Sequence, residues 1–283
     1  MKPAGLAPSD PARPPDSGLP GSAGASASAV PTPGGFTGGT PADEGLLPSP
    51  HGRHAIPAAD EPGPLLASGM CADIYALDDE RVLRRYRSGA DATREVALML
   101  HAAQNGFPVP RVDSVEGSDI VMERLHGPTL LQALGAEEVT LHDGAVILAD
   151  LHRRLHQVRA PLGSPGDVLV HLDLHPGNIV LSDAHGPSLV DWANARTGAA
   201  ELDVALTALI LAEVAVDAGG AYSQAARAML AEFLAASDVD PLAALDEGAR
   251  VRAHDPALVE GEAALVPAAV ALIRDLVEVA RPF

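Results

Sequence analysis

Residues 171–181 read HLDLHPGNIVL and place two histidines, an aspartate and an asparagine within eight positions. Apolar runs frame these polar residues, VLV at 168–170 and IVL at 179–181, and short runs of this kind are typical of buried strands. Such a cluster of polar groups between buried strands is either an active-site loop or a structural accident. The rest of the chain distinguishes these two interpretations.

The spacing of the polar residues suits phosphate chemistry. His171, Asp173 and Asn178 form H-x-D-x-x-x-x-N, and Asp191 follows thirteen residues after Asn178, directly after the apolar run SLV. An amide oxygen and a carboxylate on adjacent loops are hard ligands that suit Mg²⁺. The carboxylate of Asp173 can orient an attacking hydroxyl or accept its proton. A metal ion, a phosphate and a nucleophile can therefore converge at one point.

HLDLHPGNIVL and LVDWANA (189–195) resemble the catalytic loop and the metal-binding loop of the aminoglycoside phosphotransferase family, which has the protein-kinase-like fold. The resemblance runs from about position 65 to at least position 211. It implies Asp173 as the catalytic base, His171 as a residue that braces the loop, and Asn178 and Asp191 as the Mg²⁺ ligands.

Two further residues fit the family pattern. His175 occupies the place where protein kinases usually carry a lysine, and a histidine there is similar to the small-molecule members. Asp203, in AELDVAL (200–206), matches a family aspartate that anchors the catalytic loop from the following helix.

The order of elements predicts an α+β class with two lobes, and the resemblance implies that these lobes form the protein-kinase-like fold. Strands are predicted at LLASGM, DIYALDD and RVLRRYR, with a hairpin at Asp78-Asp79, and again at RVDSVE, SDIVMERL and PSLVDW. A helix is predicted from about Asp91, as its cap, to Gln104. From Leu130 the chain is helical, with Thr140 and Asp143 as a capping box. These elements form a small antiparallel-sheet N-lobe and a larger helical C-lobe.

The resemblance places the nucleotide in the N-lobe, where kinases use a strand lysine held by a helix glutamate. The chain departs from this pattern, because its only lysine is Lys2. Arg84 is the predicted substitute, since strand alternation puts it on the same face as Val82, while Arg85 points the other way and is expected to be solvated. Glu95 is the candidate partner of Arg84.

The remaining nucleotide contacts are predicted from the backbone. The chain has no G-x-G-x-x-G, and the first hairpin offers one glycine in ASGMCAD (67–73), so the phosphates would be covered by the amides around Ser68 and Gly69. MERL (122–125) resembles the hinge between kinase lobes, where the backbone of Glu123 and Leu125 would bind adenine.

Two histidines outside the loop have a metal-site spacing. His152 and His156 lie four residues apart on a predicted helix, as in zinc proteases, but the glutamate of H-E-x-x-H is absent. HLDLH also lacks a third histidine or a bridging carboxylate at a convincing spacing, which argues against a metallohydrolase.

The acceptor is predicted to be a small molecule. Protein kinases carry a long activation segment and A-P-E after the metal-binding aspartate, whereas only ANARTGAAE (193–201) precedes the next helix here. The following helices are rich in acid, and an acidic pocket would favour an amine-bearing alcohol, although a solvated helix face explains most of these charges. The acidic residues are Glu213, Asp217, Asp238, Asp240, Asp246 and Glu247.

The amino-acid composition limits which binding partners and which cellular compartment are expected. The net charge of −19 argues against nucleic acid or an anionic membrane as a partner. The single cysteine, Cys71, excludes an intrachain disulfide and favours a reducing, cytoplasmic compartment. The most apolar run, VALTALILA (204–212), is too short to span a bilayer. No feature of the sequence specifies an oligomeric state.

The chain is expected to divide into three parts. Residues 1–60 hold 12 of the 25 prolines and 10 of the 27 glycines, which predicts a disordered tail. Residues 61–124 form the predicted N-lobe, and residues 125–283 form the C-lobe with the acceptor pocket. The leading hypothesis is an ATP- and Mg²⁺-dependent phosphotransferase, and the alternative is a catalytically silent nucleotide-binding or regulatory protein.

Overall fold

The computed structural model describes residues 62–69, 71–161, 163–217, 219–255, 258 and 261–280. The predicted disordered tail lies outside the described residues.

A five-stranded antiparallel sheet forms the N-terminal lobe. Its strands lie in the order β1-β2-β3-β5-β4. They are β1 (Leu65–Ser68), β2 (Ala72–Ala76), β3 (Arg81–Tyr86), β4 (Val112–Glu116) and β5 (Asp119–Glu123). The predicted hairpin joins β2 to β3, and the Asp78 carboxylate accepts the backbone N–H of Glu80 at 2.9 Å inside it. Short polar side chains stabilise turns in this way because they accept hydrogen bonds from the next residues.

Helix α1 (Thr93–Gln104) connects β3 to β4. The helix begins close to the predicted position, and the Asp91 carboxylate accepts the backbone N–H of Thr93 at 2.8 Å. The N-cap is Ala92, which makes no side-chain cap contact, so the prediction of Asp91 as the cap is wrong. Gly106, with φ of +77°, turns the chain away after the helix ends. Glycine adopts this left-handed conformation at little cost, which explains why the helix stops there.

The C-terminal lobe contains six helices and four short strands among the described residues. The helices are α2 (Leu130–Gly135), α3 (Leu141–His156), α4 (Ala200–Val216), α5 (Ala221–Ala236), α6 (Leu245–Ala253) and α7 (Val266–Ala280). The strands are β6 (Val168–Val170), β7 (Ile179–Ser182), β8 (Gly186–Leu189) and β9 (Arg196–Gly198), paired as β6–β9 and β7–β8. The small sheet lobe and the larger helical lobe confirm the predicted bilobal α+β class.

The predicted cap of α3 is also present. The Thr140 hydroxyl accepts the backbone N–H of Asp143 at 3.1 Å and donates to the Asp143 carboxylate at 2.7 Å. The two predicted residues thus contact each other. In a full capping box the Asp143 carboxylate would accept the Thr140 backbone N–H, whereas here it accepts the Thr140 hydroxyl.

Helix α4 is the centre of the C-terminal lobe and packs against α5, α6 and α7. Every residue from Leu202 to Glu213 is buried, which fits a helix that is apolar on all sides. Two polar residues, Asp203 and Thr207, lie fully buried within this run. None of the helices in the described part of the chain has the length and apolarity that crossing a bilayer requires.

Candidate active site

The predicted catalytic loop follows β6 and ends in a 3₁₀ turn at Pro176–Asn178. Asn178 lies against Asp173, because its side-chain N–H groups donate to the Asp173 backbone oxygen at 2.9 Å and to the Asp173 carboxylate at 3.1 Å. His175 closes the turn by accepting the backbone N–H of Gly177 at its Nδ1. The loop therefore brings the predicted base and the predicted amide ligand together.

Asp173 has the electrostatics of a proton acceptor. It is 2 % exposed, and burial, followed by the neighbouring charge of Asp191, raises its pKa well above the ordinary range, while Arg252 opposes the shift. A carboxylate with a raised pKa accepts a proton more readily near neutral pH. Arg252, which lowers the pKa of Asp173, lies outside the sequence motif and is therefore an additional residue of the candidate site.

Asp191 follows β8 and has a left-handed backbone with φ of +61°. Its Oδ1 is held by a guanidinium nitrogen of Arg84, and no other hydrogen bond to its carboxylate is present among the described residues. The Oδ1 of Asn178 is likewise unbonded within the same part of the chain, because the amide nitrogen makes both contacts to Asp173. A carboxylate oxygen and an amide oxygen therefore remain for a hard cation, and this donor set fits Mg²⁺.

Arg84 joins the two lobes from strand β3. It is buried, and its guanidinium contacts both Glu95 on α1 and Asp191 in the C-terminal lobe. Burial disfavours its charge, but these two carboxylates outweigh that effect and raise its pKa. The predicted pairing of Arg84 with Glu95 is thus present.

Tyr86 is a neighbour of this ion pair that sequence reasoning missed. Its hydroxyl donates to the second oxygen of Glu95, and the Arg84 guanidinium carbon lies 4.9 Å from the centre of its ring. Strand alternation from Val82 through Arg84 would have placed Tyr86 on the same face. Glu95 thus has both carboxylate oxygens occupied and holds Arg84 in a fixed orientation.

The expectation that Arg85 is solvated is wrong. Arg85 does point away from Arg84, but its side chain is only 18 % exposed and forms a two-pronged ion pair with Asp119 at 2.8 and 2.6 Å. The antiparallel register of β3 and β5 places Asp119 directly opposite Arg85. Cross-strand partners of opposite charge stabilise a sheet, and a single-strand pattern does not reveal them.

The tip between β1 and β2 is held by surface contacts. The Ser68 hydroxyl donates to Asp73 at 2.6 Å, and Arg87 contacts both residues. The backbone N–H of Gly69 donates to the oxygen of Ala72 at 2.9 Å and forms a tight turn. That amide is therefore engaged within the chain, and a contact from Ser68 or Gly69 to a phosphate stays a prediction.

The predicted hinge follows β5. The backbone N–H of Leu125 has no hydrogen bond within the described ranges, so it is available to a ligand. The side chain of Glu123 joins the lobes, because one oxygen lies 2.7 Å from His185 Nε2 in the β7–β8 turn and the other accepts the Arg111 backbone N–H at 3.1 Å. Sequence reasoning expected only backbone contacts at Glu123.

Asp203 anchors the start of the catalytic loop. Its carboxylate accepts the backbone N–H of Leu172 at 2.6 Å and that of His171 at 3.2 Å. The His171 ring donates through Nε2 to the oxygen of Val190 at 3.2 Å and packs edge-on against Trp192. His171 therefore spans from the catalytic loop to the residue before Asp191, which is the bracing position that the resemblance implies.

The predicted acceptor side contains an ion cluster that sequence reasoning missed. A cavity of about 30 Å³ lies beside Asp173, with Leu206 and Arg252 among its lining residues. Arg252 on α6 forms ion pairs with Glu213 at 3.0 Å and with Asp255 at 3.0 Å. These residues are 39 and 3 positions from Arg252, and only the packing of α4 against α6 brings Glu213 close.

Glu213 is the one acidic residue of the predicted set that is buried here. It is 6 % exposed, and burial raises its pKa against the opposing contact with Arg252. The other five lie on the surface, as expected for solvated helix faces. They are Asp217, Asp238, Asp240, Asp246 and Glu247.

Comparison with known proteins identifies the family. The sequence profile of the phosphotransferase enzyme family, APH, matches residues 64–167 and 161–233. This match covers more than half of the chain, and the chain therefore belongs to this family. A comparison with curated protein sequences found no match to the chain.

The chain is similar to solved structures at low sequence identity. Aminoglycoside phosphotransferase APH(4)-Ia, in a ternary complex with AMP-PNP and hygromycin B, is 14% identical with a TM-score of 0.51, and the match covers 77% of this chain and 94% of that one. Aminoglycoside phosphotransferase APH(2'')-Ib, bound to ADP, is 12% identical with a TM-score of 0.46, covering 75% and 93%. An ethanolamine kinase from Plasmodium vivax is 10% identical with a TM-score of 0.44, covering 77% and 76%.

Proposed function

We propose that the chain is an ATP-dependent phosphotransferase that moves the γ-phosphoryl group to a hydroxyl of a small molecule, such as an aminoglycoside, another amino alcohol or a sugar. The convergence of Asp173, Asn178, Asp191 and Arg84 carries this proposal. A general base, two oxygen ligands and a fixed cation are the parts that phosphoryl transfer needs, because its catalysis depends on positioning and charge stabilisation.

The N-terminal lobe would bind the nucleotide. Arg84, held by Glu95, contributes a buried positive charge for the phosphates, and charge-assisted contacts of this kind are strong. The free backbone N–H of Leu125 would donate to adenine beside the backbone of Glu123. Ser68 and Gly69 would lie over the phosphates at the β1–β2 tip.

Asn178 and Asp191 would hold Mg²⁺ through their unbonded oxygens. When bound, the ion supplies positive charge that neutralises the phosphate oxygens. Asp173 would accept the proton of the acceptor hydroxyl at Oδ1, since Oδ2 already accepts Asn178. The hydroxyl oxygen forms a bond to the γ-phosphorus, the bond from that phosphorus to the β–γ bridging oxygen breaks, and ADP leaves.

The acceptor pocket would favour an acceptor that carries an amine. Asp173, Asp255 and Arg252 line the cavity, and Glu213 adds a third carboxyl group through its ion pair with Arg252. An excess of carboxylates attracts a cationic ligand and disfavours an anionic one. Arg252 would keep two of these carboxylates in place.

The alternative function is a catalytically silent nucleotide-binding or regulatory protein. An arginine takes the place of the usual lysine, and the Gly69 amide is engaged in a turn. The intact set of Asp173, Asn178 and Asp191 favours catalysis, because a silent protein does not need a buried base beside the metal ligands.

We also propose that the boundary between the lobes lies between residues 124 and 125, just after β5. We further propose a cytoplasmic location. The boundary follows from the position of Leu125 in the hinge, and the location follows from the single cysteine.

The proposal is tested first by binding. Millimolar Mg²⁺-ATP should raise the melting temperature of the full chain, because a ligand at a hundred times its Kd stabilises the native state by about 2.7 kcal/mol. The shift should largely disappear in Asp191→Ala and remain in Asp183→Ala, a control at an exposed aspartate. An unchanged melting temperature of the wild type would contradict the nucleotide site.

The chemistry is tested by turnover of aminoglycosides, macrolides, amino alcohols and sugars. With the acceptor that this screen finds, Asp173→Ala should keep its affinity for Mg²⁺-ATP and lose roughly 10²- to 10⁴-fold in turnover, the usual contribution of a positioned base. Equal turnover by the wild type and Asp173→Ala would refute the base. Tight ATP binding without any acceptor would support the silent alternative.

A further inference from the structure

A buried threonine contacts the catalytic loop from helix α4, one turn after Asp203. The Thr207 hydroxyl lies 2.7 Å from the backbone oxygen of Leu174, the residue after Asp173. A carbonyl oxygen can only accept, so Thr207 gives its one hydroxyl proton to this contact. On the other side of Asp173, the Leu172 N–H donates to Asp203. One helix thus holds the chain immediately before and immediately after the predicted base.

His152 on α3 completes the contact at Thr207. Its Nε2 lies 2.9 Å from the Thr207 hydroxyl oxygen, and His152 is 2 % exposed. Because the hydroxyl proton is already used on Leu174, the ring nitrogen must be the donor, so Nε2 carries a proton. His156, one turn later, makes the matching contact to Asp203 at 2.9 Å.

The loop needs more than one anchor because its backbone is strained. Leu172 has φ of +65°, a left-handed conformation that is unfavourable for a leucine and persists only where the surroundings impose it. Asp203 holds the N–H of this residue, but it leaves the carbonyl side of Asp173 unconstrained. Thr207 supplies the missing constraint at Leu174.

A metal ion is the competing interpretation of the same cluster. Ligand atoms of His152, His156 and Asp203 all lie within 4.8 Å of one another. However, Nε2 of each ring is used in a hydrogen bond to α4, so a metal ion would have to bind His152 through Nδ1, which lies 3.5 Å from Asp203 Oδ2. The Asp203 carboxylate already accepts the loop N–H groups. These contacts favour a network of hydrogen bonds that positions the loop.

We propose that His152 and Thr207 are positioning residues for phosphoryl transfer. They act through two successive hydrogen bonds, from His152 to the Thr207 hydroxyl and from that hydroxyl to the Leu174 oxygen, which we name the second loop anchor. This proposal rests on the proposed function of Asp173 as the base. The anchor fixes the direction of the peptide after Asp173, and a displacement of about 1 Å at a reacting group can reduce turnover by roughly 10²-fold.

The test compares Thr207→Val, which removes the hydroxyl at nearly constant volume, with Thr207→Ser, which retains it. Ile273→Val, in the buried part of α7, is the control for a core change away from the loop. His152→Leu and His152→Gln form a second pair, since glutamine retains an N–H donor near the position of Nε2. All are measured in the full chain, at a temperature where each variant is folded.

Thr207→Val and His152→Leu should lower kcat by about 10- to 100-fold, with the affinity for Mg²⁺-ATP within about threefold of wild type. Thr207→Ser and His152→Gln should recover most of the loss, and Ile273→Val should retain wild-type kcat. The double variant of Thr207→Val and His152→Leu should be no slower than the worse single variant, because both changes break one contact. Wild-type kcat in Thr207→Val would overturn the proposal.

Two measurements separate this proposal from the proposed function. Nitrogen-15 NMR of the histidine rings should find the His152 proton on Nε2, and amide exchange in residues 171–178 should accelerate in Thr207→Val but not in Ile273→Val. Both can be read even if no acceptor is found, which would contradict only the phosphotransferase. A proton solely on Nδ1, or a stoichiometric metal ion that co-purifies with the wild type but not with His152→Leu, would overturn the anchor.

Discussion

The predicted catalytic loop and the β1–β2 tip would lie on two sides of the proposed nucleotide site, and they are held in opposite ways. His171, Asp173 and Asn178 in the loop are at most 8 % exposed, and buried side chains from α4 bind its backbone. The tip is held by Ser68 and Arg87, which lie in solvent. Buried polar groups must find partners, whereas exposed ones can use water. We therefore expect the loop to tolerate few substitutions and the tip to tolerate many.

Removing the Asp203 carboxylate, which binds the start of the loop, should have the largest effect. Asp203→Ala would leave the N–H groups of His171 and Leu172 buried without an acceptor, and we expect the free energy of unfolding to fall by about 3–5 kcal/mol. Asp203→Asn, which keeps one acceptor oxygen, should lose less. Urea denaturation near neutral pH measures both. A loss below that of a surface substitution would show that the loop does not depend on α4.

Acid should weaken the loop through His175. Burial lowers the pKa of His175 to about 4, so the unfolded chain binds a proton below pH 6.5 while the folded chain does not. Stability is therefore lost as the pH falls from 6.5 to about 4, by up to about 3 kcal/mol from this residue. His175→Asn can still accept the Gly177 N–H, and it should reduce this pH dependence.

Urea denaturation of the wild type and His175→Asn at several pH values between 6.5 and 4 provides the comparison. Some dependence should remain in the variant, because burial also lowers the pKa values of His152 and His171. Parallel curves for the two proteins would contradict the assignment to His175.

Arg84 links the two lobes through Glu95 and Asp191, and its substitution should affect nucleotide affinity. Arg84→Ala would remove a charge aimed at the phosphates, and we expect Mg²⁺-ATP affinity to fall by about 10- to 100-fold, the value of a charged hydrogen bond. Arg84→Lys should retain part of the affinity, since a point charge does not replace a planar fork. Titration calorimetry measures this effect, and equal affinity in Arg84→Ala would exclude the phosphate contact.

The smallest effect is expected at the tip. Asp73→Asn would weaken the contacts to Arg87 and Ser68, but exposed ion pairs contribute little and are screened by salt. The melting temperature should change by less than about 3 °C. The difference should shrink in 0.5 M salt, where the Debye length is roughly half of its value at 0.1 M ionic strength. A shift comparable to that of Asp203→Ala would remove the contrast between tip and loop.

The spacing of residues along the chain was sufficient to predict which candidate site residues lie together in one segment. His171, Asp173 and Asn178 lie in one loop, and strand alternation predicted the orientation of Arg84 toward Glu95. The α+β class also followed from the sequence, because the alternation of strands in the first lobe and the helical periodicity in the second are local patterns.

The contacts between distant residues followed only from helix and strand packing. Arg252 contacts Glu213, 39 positions away in the sequence, and His152 contacts Thr207, 55 positions away. His185 contacts Glu123, 62 positions away. A weak signal existed for one of them, since Thr207 is a polar residue in an apolar run, four residues after Asp203, and His152 precedes His156 by the same interval.

The sequence by itself determined which chemical groups are present and which of them share a loop, because hydrogen bonding and side-chain direction over a few residues depend on local backbone geometry. The tertiary structure decided how those groups are held and charged. The pKa of Asp173 depends on its burial and on Asp191 and Arg252, which reach it from other elements. Burial and long-range charge arise only when the helices and strands pack together, so no single segment contains them.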